Sequence, residues 1–284
     1  PEQIIQSFPA AIQTMLDPAD CGPACIALCQ DIQGQTFDYP EEFFKEKVHT
    51  IRRPRPDEFQ IKEAAEKIKS SKNPIIISGG GVFYSNAMED LSSFATKHNI
   101  PVTQTVMGYS TMKRDHSHYA GQIGGLGGKN TNTLAKQTDL AIAVGTKLAD
   151  FTTGSWANFE NENFKLVSIN VSRFDANKHL AQAVIGDAKV SLNELSLALG
   201  DWKAGEEWNK KSQIELKAWN EEVDKASTPS NQEIPSYVQV IGAVYKNSDP
   251  SDIAVTAAGG LVGEVVQVWR PRELNTHETE WGFS

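Results

Sequence analysis

The chain has 284 residues, and its 27 lysines and arginines against 36 aspartates and glutamates give a formal net charge of -9 at pH 7. This acidic balance argues against a protein that wraps a polyanion such as DNA. With 39% hydrophobic and 22% charged residues the composition is that of a globular protein, and no apolar run approaches the roughly 18 residues of a membrane span.

The first part of the sequence predicts a helical region followed by a buried strand. Residues 2–7 and 9–16 are two short amphipathic helical pieces, with Pro9 suited to the first turn of the second. Residues 25–29 (CIALC) form an apolar run of strand length. One helix cannot cover both faces of a buried strand, so we expect the chain to begin inside a domain.

All three cysteines, Cys21, Cys25 and Cys29, lie at a regular spacing of four in this region. At about 3.3 Å per residue, a strand places Cys25 and Cys29 about 13 Å apart, which is too far for one metal ion. We therefore predict buried core cysteines and no metal site. The odd number of cysteines and the lack of a secretory apolar segment favour a reducing, cytoplasmic setting.

A basic segment, residues 49–56 (HTIRRPRP), leads into a regular pattern of strands and helices. Its two prolines favour an extended linker over a dedicated anion site. The strands predicted next are 74–79, 101–106, 139–145, 165–171 and 183–187, and the predicted helices include 58–71, 131–137 and 189–199. Apolar strands that alternate with helices, with glycine after several strands, predict an α/β fold. We expect a complete Rossmann-like domain with a doubly wound parallel sheet at residues 57–200.

After residue 200 the composition changes, and a second α/β pattern begins. Its predicted elements are a long charged helix (206–223), a polar linker (227–236), a helix (237–247), a strand (253–257) and a helix that starts near residue 260. No strand is predicted after that helix. We interpret Trp202, Trp208 and Trp219 as a packing stripe and not as a platform for stacking bases, given the acidic charge.

Two glycine-rich loops are candidates for phosphate binding. Residues 79–81 (GGG) join a strand to a helix, but the full G-x-G-x-x-G motif is missing and no acidic residue closes the next strand. A tight turn that packs the helix against the sheet is the favoured interpretation. Residues 121–130 (GQIGGLGGKN) depart from the G-x-x-x-x-G-K-[ST] motif, and no apolar strand leads into them. We interpret them as a flexible interdomain loop, with a nucleotide contact as the alternative.

Two further stretches carry residue types that bind ligands. His116 and His118 offer only two metal ligands in a predicted turn, so we interpret them as solvated histidines. Residues 255–264 (VTAAGGLVGE) are the best cofactor candidate by position, because ligands of open parallel sheets bind beyond the carboxyl ends of strands. Small residues there admit a close approach, and a bare tight turn is the alternative. The sequence shows no Ser-His-Asp order and no activated cysteine.

Taken together, several motifs resemble a known family. Residues 74–82 (PIIISGGGV), 100–108 (IPVTQTVMG) and 139–150 (DLAIAVGTKLAD) are similar to the three-domain thiamine-diphosphate enzymes of the acetolactate synthase type. Within that family the segments DPADCGPACIALCQDIQG, FDYPEEFF, HTIRRPRPDE and ETEWGFS resemble hydrolases of myo-inositol catabolism.

The resemblance implies a division of the chain into parts of three domains. The implied parts are the end of a pyrimidine-binding domain (1–35), a linker (36–56), the central Rossmann-like domain (57–200), a connecting helix and linker (201–236) and the start of a diphosphate-binding domain (237–284). In this division, partial α/β domains that bind thiamine diphosphate flank the central domain.

The resemblance also implies the chemistry: a hydrolase that uses thiamine diphosphate and Mg²⁺ to cleave a ring C–C bond of a small cyclic diketone, giving an open-chain deoxy-uronic acid. It places Ala258, Gly259, Gly260 and Leu261 near the diphosphate and thiazolium end of the cofactor. The family's activating glutamate and its G-D-G motif for magnesium have no counterpart in this sequence. We therefore expect no catalytic residue and no metal ligand here, and a chain that by itself is inactive and binds the cofactor weakly or not at all.

The family places its active sites between subunits, so the resemblance implies a homodimer or homotetramer of the complete protein. No nucleic acid or membrane partner is expected. Three alternatives are open: another thiamine-diphosphate lyase or decarboxylase of the same family, a nucleotide-binding module that holds FAD or ADP, and a structural spacer that organises subunits.

Overall fold

A computed structural model describes residues 1–230 and 232–280, and the chain divides into two compact units, Pro1–Pro54 and Arg55–Ser284. Residues 281–284, which end the ETEWGFS motif, lie outside the described residues. In the described part of the chain, no helix has both the length and the apolar character to cross a membrane.

The Pro1–Pro54 unit contains helix α1 (Ile4–Leu16), the single turn α2 (Gln30–Gln33) and a 3-10 turn (Glu41–Phe44). Helix α1 runs through Pro9, so the prediction of two separate helical pieces is wrong. Proline removes one backbone donor, but its fixed φ is helical, and here one missing hydrogen bond does not end the helix. Rings of Tyr39 and Phe43 stack at 5.7 Å, and Phe8 meets Phe43 edge-on at 6.4 Å.

The predicted strand at residues 25–29 is not present in this unit. Residues 21–29 have no regular secondary structure, and Cys21, Cys25 and Cys29 are all exposed. The prediction of a buried cysteine strand is therefore wrong for this structure. A strand of a parallel sheet is buried only between paired neighbours and covering helices, and the described residues of Pro1–Pro54 include no other strand to pair with it.

The Arg55–Ser284 unit is built on a six-stranded parallel sheet in the order β3-β2-β1-β4-β5-β6. Its strands are β1 (Pro74–Ser78), β2 (Val102–Gln104), β3 (Tyr119–Gln122), β4 (Leu140–Val144), β5 (Lys165–Asn170) and β6 (Gln182–Ile185). The helices before, between and after them are α3 (Glu58–Lys69), α4 (Gly81–Tyr84), α5 (Met88–His98), α6 (Lys129–Gln137), α7 (Asp150–Thr153), α8 (Arg173–Ala176) and α9 (Ala188–Leu199). The predicted α/β fold with a doubly wound parallel sheet is confirmed.

Neighbouring residues of the central strand β1 serve two hydrophobic cores, because successive side chains of a strand point to opposite faces. Ile76 packs with apolar residues of α3, α5 and α9 on one face. Ile75 and Ile77 pack on the other face, where α6 contributes Leu134. Every residue of β1 and β4 is buried. This two-sided burial explains why both strands are apolar throughout.

The sequence does not predict strand β3, because no apolar strand pattern leads into residues 121–130. The strand pairs with β2, with Thr103 opposite Gly121 and Gln104 opposite Gln122. Glycine and glutamine have low strand propensity, so no local apolar pattern marks this strand. Its four residues are nevertheless fully buried in the sheet, and tertiary pairing overrides propensity.

The chain continues through α10 (Glu206–Ala226), α11 (Tyr237–Asn247), β7 (Ala254–Thr256), α12 (Gly260–Val268) and β8 (His277–Thr279). Strands β7 and β8 pair in parallel as a second, two-stranded sheet, so the expectation of no strand after α12 is wrong. Three residues of mixed polarity (HET) give too short a pattern to signal a strand.

The three tryptophans pack as predicted, although on different surroundings. Trp208 is buried, and its indole Nε1 donates to the carbonyl of Pro74 at 2.8 Å, which ties α10 to the start of β1. Trp219 packs against the small core of α11 and α12, and Trp202 packs beside the core of the large sheet. Trp202 lies before α10, so the three tryptophans do not form one stripe along that helix, and only Trp208 and Trp219 join α10 to both parts of the unit.

Candidate functional site

The predicted cofactor loop, residues 258–261, lies between the end of β7 and the first turn of α12. Ala258 is partly buried, whereas Gly259, Gly260 and Leu261 are exposed. The structure therefore brings these four residues together at one open edge, beyond the carboxyl end of a parallel strand. This is the position at which ligands bind in open α/β sheets.

The backbone of this loop suits a bound anion. Gly259 has φ 139° and ψ -176°, a conformation that side-chain-bearing residues avoid. A Cβ built on Gly259 or Gly260 would meet no atom within 4 Å, so the approach to the backbone is open. Because Gly259 is the N-cap of α12, no side chain caps the helix, and the N–H groups of its first turn are free to bind an anionic group.

The hydroxyl groups of two paired strands lie beside the loop. Thr256, at the end of β7, and Thr279, in β8, have their Oγ1 atoms 3.0 Å apart. His277, at the start of β8, is 4% exposed, and burial lowers the pKa of His277 to about 4. The imidazole is therefore neutral near pH 7, and the pair of strands brings no positive charge to the loop from this histidine.

The first glycine loop, residues 79–81, serves close packing. A Cβ on Gly79 would lie 2.4 Å from the carbonyl oxygen of Gly145, and one on Gly81 would lie 2.6 Å from the Cα of Gly145. The N–H of Gly81 donates to that same carbonyl at 2.9 Å. The turns after β1 and β4 are thus in direct backbone contact, and the helix that follows, α4, has only four residues. The close-packing interpretation is confirmed.

The second glycine loop, residues 121–130, is held by hydrogen bonds and reaches the C-terminal segment. The N–H of Gly124 donates to Asn132 Oδ1 at 3.1 Å, and the N–H of Gly125 donates to the carbonyl of Phe151 at 2.7 Å. Gln267 of α12 donates through Nε2 to the carbonyl of Leu126 at 3.4 Å. The loop therefore contacts α12, which lies after α10 in the chain, as expected of an interdomain loop. The N–H groups of Gly124 and Gly125 are hydrogen-bonded to residues of the large-sheet region.

The two histidines of the KRDHSHY stretch differ in burial, since His116 is only partly buried. His118 is 7% exposed, so its interpretation as a solvated histidine is wrong. Its Nε2 donates to Asn99 Oδ1 at 3.0 Å, and its Nδ1 lies 3.0 Å from Ser117 Oγ. Burial, followed by repulsion from His116, lowers the pKa of His118 to about 4. His118 precedes β3, and the burial of that unpredicted strand explains the error.

Across residues 1–230 and 232–280, no group of three or more His, Cys, Asp and Glu side chains is arranged to hold a metal ion. In the described part of the chain, the loop at residues 258–261 therefore has no cluster of metal-ligating side chains beside it.

Sequence reasoning missed the loop that follows β2, residues 105–112. Apart from Val106 and Met107, its residues are mostly buried. Ser78 Oγ lies 2.8 Å from Thr111 Oγ1, and Gln104 Nε2 donates to Thr111 Oγ1 at 3.1 Å. Tyr109 is 1% exposed, and burial raises the pKa of its hydroxyl well above the ordinary value. Its hydroxyl donates to the carbonyl of Trp269, 160 residues further along the chain, so no local sequence signal points to this contact.

Comparison with known proteins places the fold in a family. Residues 61–195 match the family described as thiamine pyrophosphate enzyme, central domain. The whole chain aligns with proteins named 3D-(3,5/4)-trihydroxycyclohexane-1,2-dione hydrolase, at 36% identity in Clostridium perfringens strain 13, 38% in Clostridium tetani and 36% in Geobacillus thermodenitrificans. It covers 48%, 48% and 47% of these relatives, so the chain spans about half of their length.

The match coincides with the structural unit that has the two buried cores. It begins within α3, ends within α9 and takes in all six strands of the large sheet. Residues 61–195 therefore belong to the central-domain family of the thiamine pyrophosphate enzymes.

Proposed function

We propose that this chain is part of a thiamine-diphosphate-dependent hydrolase that cleaves a ring C–C bond of 3D-(3,5/4)-trihydroxycyclohexane-1,2-dione to give 5-deoxy-glucuronate in myo-inositol degradation. The observation that carries the proposal is the alignment of the whole chain, at 36% to 38% identity, with relatives that bear this hydrolase name. The central-domain match supports the class of cofactor.

The residues proposed to bind the cofactor are Ala258, Gly259, Gly260 and Leu261. An open glycine backbone and an uncapped helix N-terminus fit the anionic diphosphate group, because the N–H groups of the first turn of α12 point toward bound anions. Thiamine diphosphate, when bound, supplies the electron sink that C–C cleavage next to a carbonyl requires. The loop's part in the reaction is to hold and orient the diphosphate end of the cofactor.

We assign no catalytic residue and no metal ligand to this chain, and we propose that Mg²⁺ is bound by other parts of the complete protein. The proposed domain division is the one given by the sequence: 1–35, 36–56, 57–200, 201–236 and 237–284. We further propose that the complete protein is a cytoplasmic homodimer or homotetramer, whose small-molecule substrate is the cyclic diketone. Three exposed free cysteines fit a reducing compartment.

Titration calorimetry with thiamine diphosphate and Mg²⁺ tests the proposal on the complete gene product that contains this chain. We expect binding at micromolar or lower concentration, with hydrolysis of the dione, and weak or no binding by the 284-residue chain. Tight binding by the 284-residue chain would contradict its proposed dependence on other domains. Cofactor binding without turnover of the dione would favour another thiamine-diphosphate enzyme, and a released flavin or adenine absorbance would favour the nucleotide-binding alternative.

A pair of matched variants tests the loop itself. Gly260→Asp adds a negative charge at the first residue of α12, whereas Gly205→Asp adds the same charge at the N-cap of α10. A Cβ at either position meets no atom within 4 Å, so neither change disturbs packing. We expect Gly260→Asp to weaken cofactor binding by tenfold or more, on the order of 1.4 kcal/mol, through repulsion of the diphosphate. Equal affinities of the two variants for thiamine diphosphate would show that the loop is not part of the cofactor site.

A further inference from the structure

One short segment of the central domain, residues 109–114, holds the far end of helix α12. Tyr109 donates its hydroxyl hydrogen to the carbonyl of Trp269, which is the C-cap residue of α12. Two residues beyond, the carbonyl of Pro271 accepts from the backbone N–H of Arg114 at 2.8 Å. We call residues 109–114 the clamp segment. It fixes the direction in which the chain leaves α12.

The same segment holds the start of strand β8. The carbonyl of Ser110 accepts from the N–H of Asn275 at 3.2 Å, and its Oγ accepts from the N–H of Thr276 at 3.1 Å. The ring of Tyr109 meets the ring of His277 edge-on, with centroids 4.9 Å apart. Two adjacent residues of the central domain therefore bind three consecutive residues of the C-terminal segment.

Ser110 makes these contacts with its backbone in the left-handed region, which serine rarely adopts. Its φ is +67° and it is fully buried. Its own N–H donates to Gln104 Oε1 at 3.3 Å, so all three of its polar groups have partners. A non-glycine residue at positive φ costs about 1–3 kcal/mol and persists only where the surrounding structure over-determines it. Here the bonds to residues 275 and 276 supply that determination.

Both flanks of the proposed cofactor loop depend on these contacts. Strand β7, which leads into the loop, is paired with β8, and the N–H of Ala254 donates to the carbonyl of Thr276 at 3.0 Å. Helix α12 follows the loop, and the carbonyl of its C-cap residue Trp269 accepts the hydrogen bond from Tyr109. Thr276 and Trp269 are each held by the clamp segment, so it sets the positions of the strand before the loop and the helix after it.

We propose that Tyr109 and Ser110 are positioning residues for the cofactor loop at residues 258–261, an inference that rests on the proposed function of that loop. A loop that is held in its bound conformation before the ligand arrives loses less conformational freedom on binding, and this raises affinity. The central domain thereby contributes to cofactor binding without touching the cofactor.

Two variants separate this role from general stability. Tyr109→Phe removes the bond to Trp269 and keeps the ring, whereas Ser110→Gly keeps the left-handed backbone accessible and removes the Oγ acceptor of Thr276. Tyr84→Phe is the matched control, because Tyr84 is 80% exposed on α4 of the same domain. Hydrogen exchange on the 284-residue chain gives the first measurement. We expect the amides of α12 and β8 to exchange about tenfold faster in both variants, with the amides of β1 and β4 unchanged.

Cofactor titration on the complete gene product gives the second measurement. We expect Tyr109→Phe to raise the Kd for thiamine diphosphate about tenfold, with kcat at saturating cofactor within about twofold of the wild type, because the residue acts through the loop and not on the reacting atoms. Ser110→Gly should change the Kd in the same direction, and Tyr84→Phe should not.

The outcomes distinguish the inference from the function on which it rests. Faster exchange of α12 with an unchanged Kd would overturn the positioning role while leaving the cofactor loop in place. Unchanged exchange in both variants would overturn the clamp itself. A wild-type gene product that binds no thiamine diphosphate would overturn the function of the loop, and exchange alone would then decide whether the clamp segment holds α12.

Discussion

Each of the two sheets of the Arg55–Ser284 unit has a strand within an apolar run, but the two strands have different surroundings. Strand β1 reads PIIIS and buries every residue, whereas β7 reads AVT within the apolar run IAVTA and leaves Val255 76% exposed. Strand β1 has a paired neighbour on each edge and helices over both faces, while β7 is paired only with β8 among the described residues. The comparison shows that burial follows a strand's place in the sheet and not its apolar composition alone.

The largest expected difference between the two sheets comes from truncating one side chain in each. Ile76→Ala removes three carbons from a fully buried site in β1, opposite Val102 and Ile142 of the neighbouring strands. We expect a loss of about 2–5 kcal/mol in the free energy of unfolding, from lost apolar burial and the cavity that remains. Val255→Ala in β7 should change it by less than about 0.5 kcal/mol. Urea unfolding followed by tryptophan fluorescence measures both.

The two results together show whether Val255 of β7 is covered in solution by a further contact. A loss of 2 kcal/mol or more for Val255→Ala would show that this side chain is buried by an oligomeric contact or by another part of the protein. A small loss for Ile76→Ala would contradict the packing of β1 between two cores.

The sequence predicts the large sheet well because its strands carry a local signal. Strands β1 and β4 were expected at 74–79 and 139–145, and their apolar runs reflect burial on both faces. The sequence does not predict strands β3 (YAGQ) and β8 (HET), because they are formed by pairing with a neighbouring strand. Such pairing requires no apolar pattern in a short sequence.

The cysteine segment shows the opposite case, in which a local apolar pattern predicts a strand that the structure does not contain. The run CIALC has the composition of a buried strand, but burial needs partners, and in Pro1–Pro54 the described residues supply none. Regular apolar spacing predicts which side of an element faces a core only where the rest of that core is present.

The candidate site divides in the same way. Its glycine loop could be selected from the sequence, because glycine after a strand and before a helix is a local pattern with a physical meaning. The contacts of Tyr109 and Ser110 with Trp269 and Thr276 join residues about 160 positions apart. No spacing rule links such residues, and only the packed structure reveals them.

A second prediction compares the two sheets through their buried histidines, His277 in β8 and His118 before β3. The pKa of each is lowered to about 4, in both cases chiefly by burial, while an unfolded histidine has a pKa near 6.5. Between pH 6.5 and 4 the unfolded chain therefore binds more protons, and stability falls as the pH falls. Above pH 6.5 this contribution to stability is complete. Each histidine accounts for up to about 3 kcal/mol across the window.

Unfolding free energies between pH 7 and pH 4.5 measure this effect in the wild type and in His277→Gln. We expect the free energy of unfolding to fall less on acidification in the variant, because up to one fewer proton is taken up on unfolding. Hydrogen exchange of β8 and α12 should show the change locally. His118→Gln is the counterpart in the large sheet, and its effect should appear in β2 and β3 instead. An identical pH profile for wild type and His277→Gln would show that His277 is solvated and that β8 is open at this point.

The smallest expected effect concerns the two glycine loops, one beside each sheet. Gly79→Ala places a Cβ 2.4 Å from the carbonyl oxygen of Gly145 and 2.5 Å from Thr146 Cβ, so backbone must move, and we expect a loss of about 1–3 kcal/mol. Gly260→Ala meets no atom within 4 Å and should change stability by less than about 0.5 kcal/mol. Thermal unfolding of the two variants compares them directly. Equal melting temperatures would contradict the backbone contact after β1, and phosphate binding at residues 79–81 would again be an alternative. The expected difference instead means that the loop at residues 79–81 is packed against its own protein, while Gly260 has open space beside its backbone.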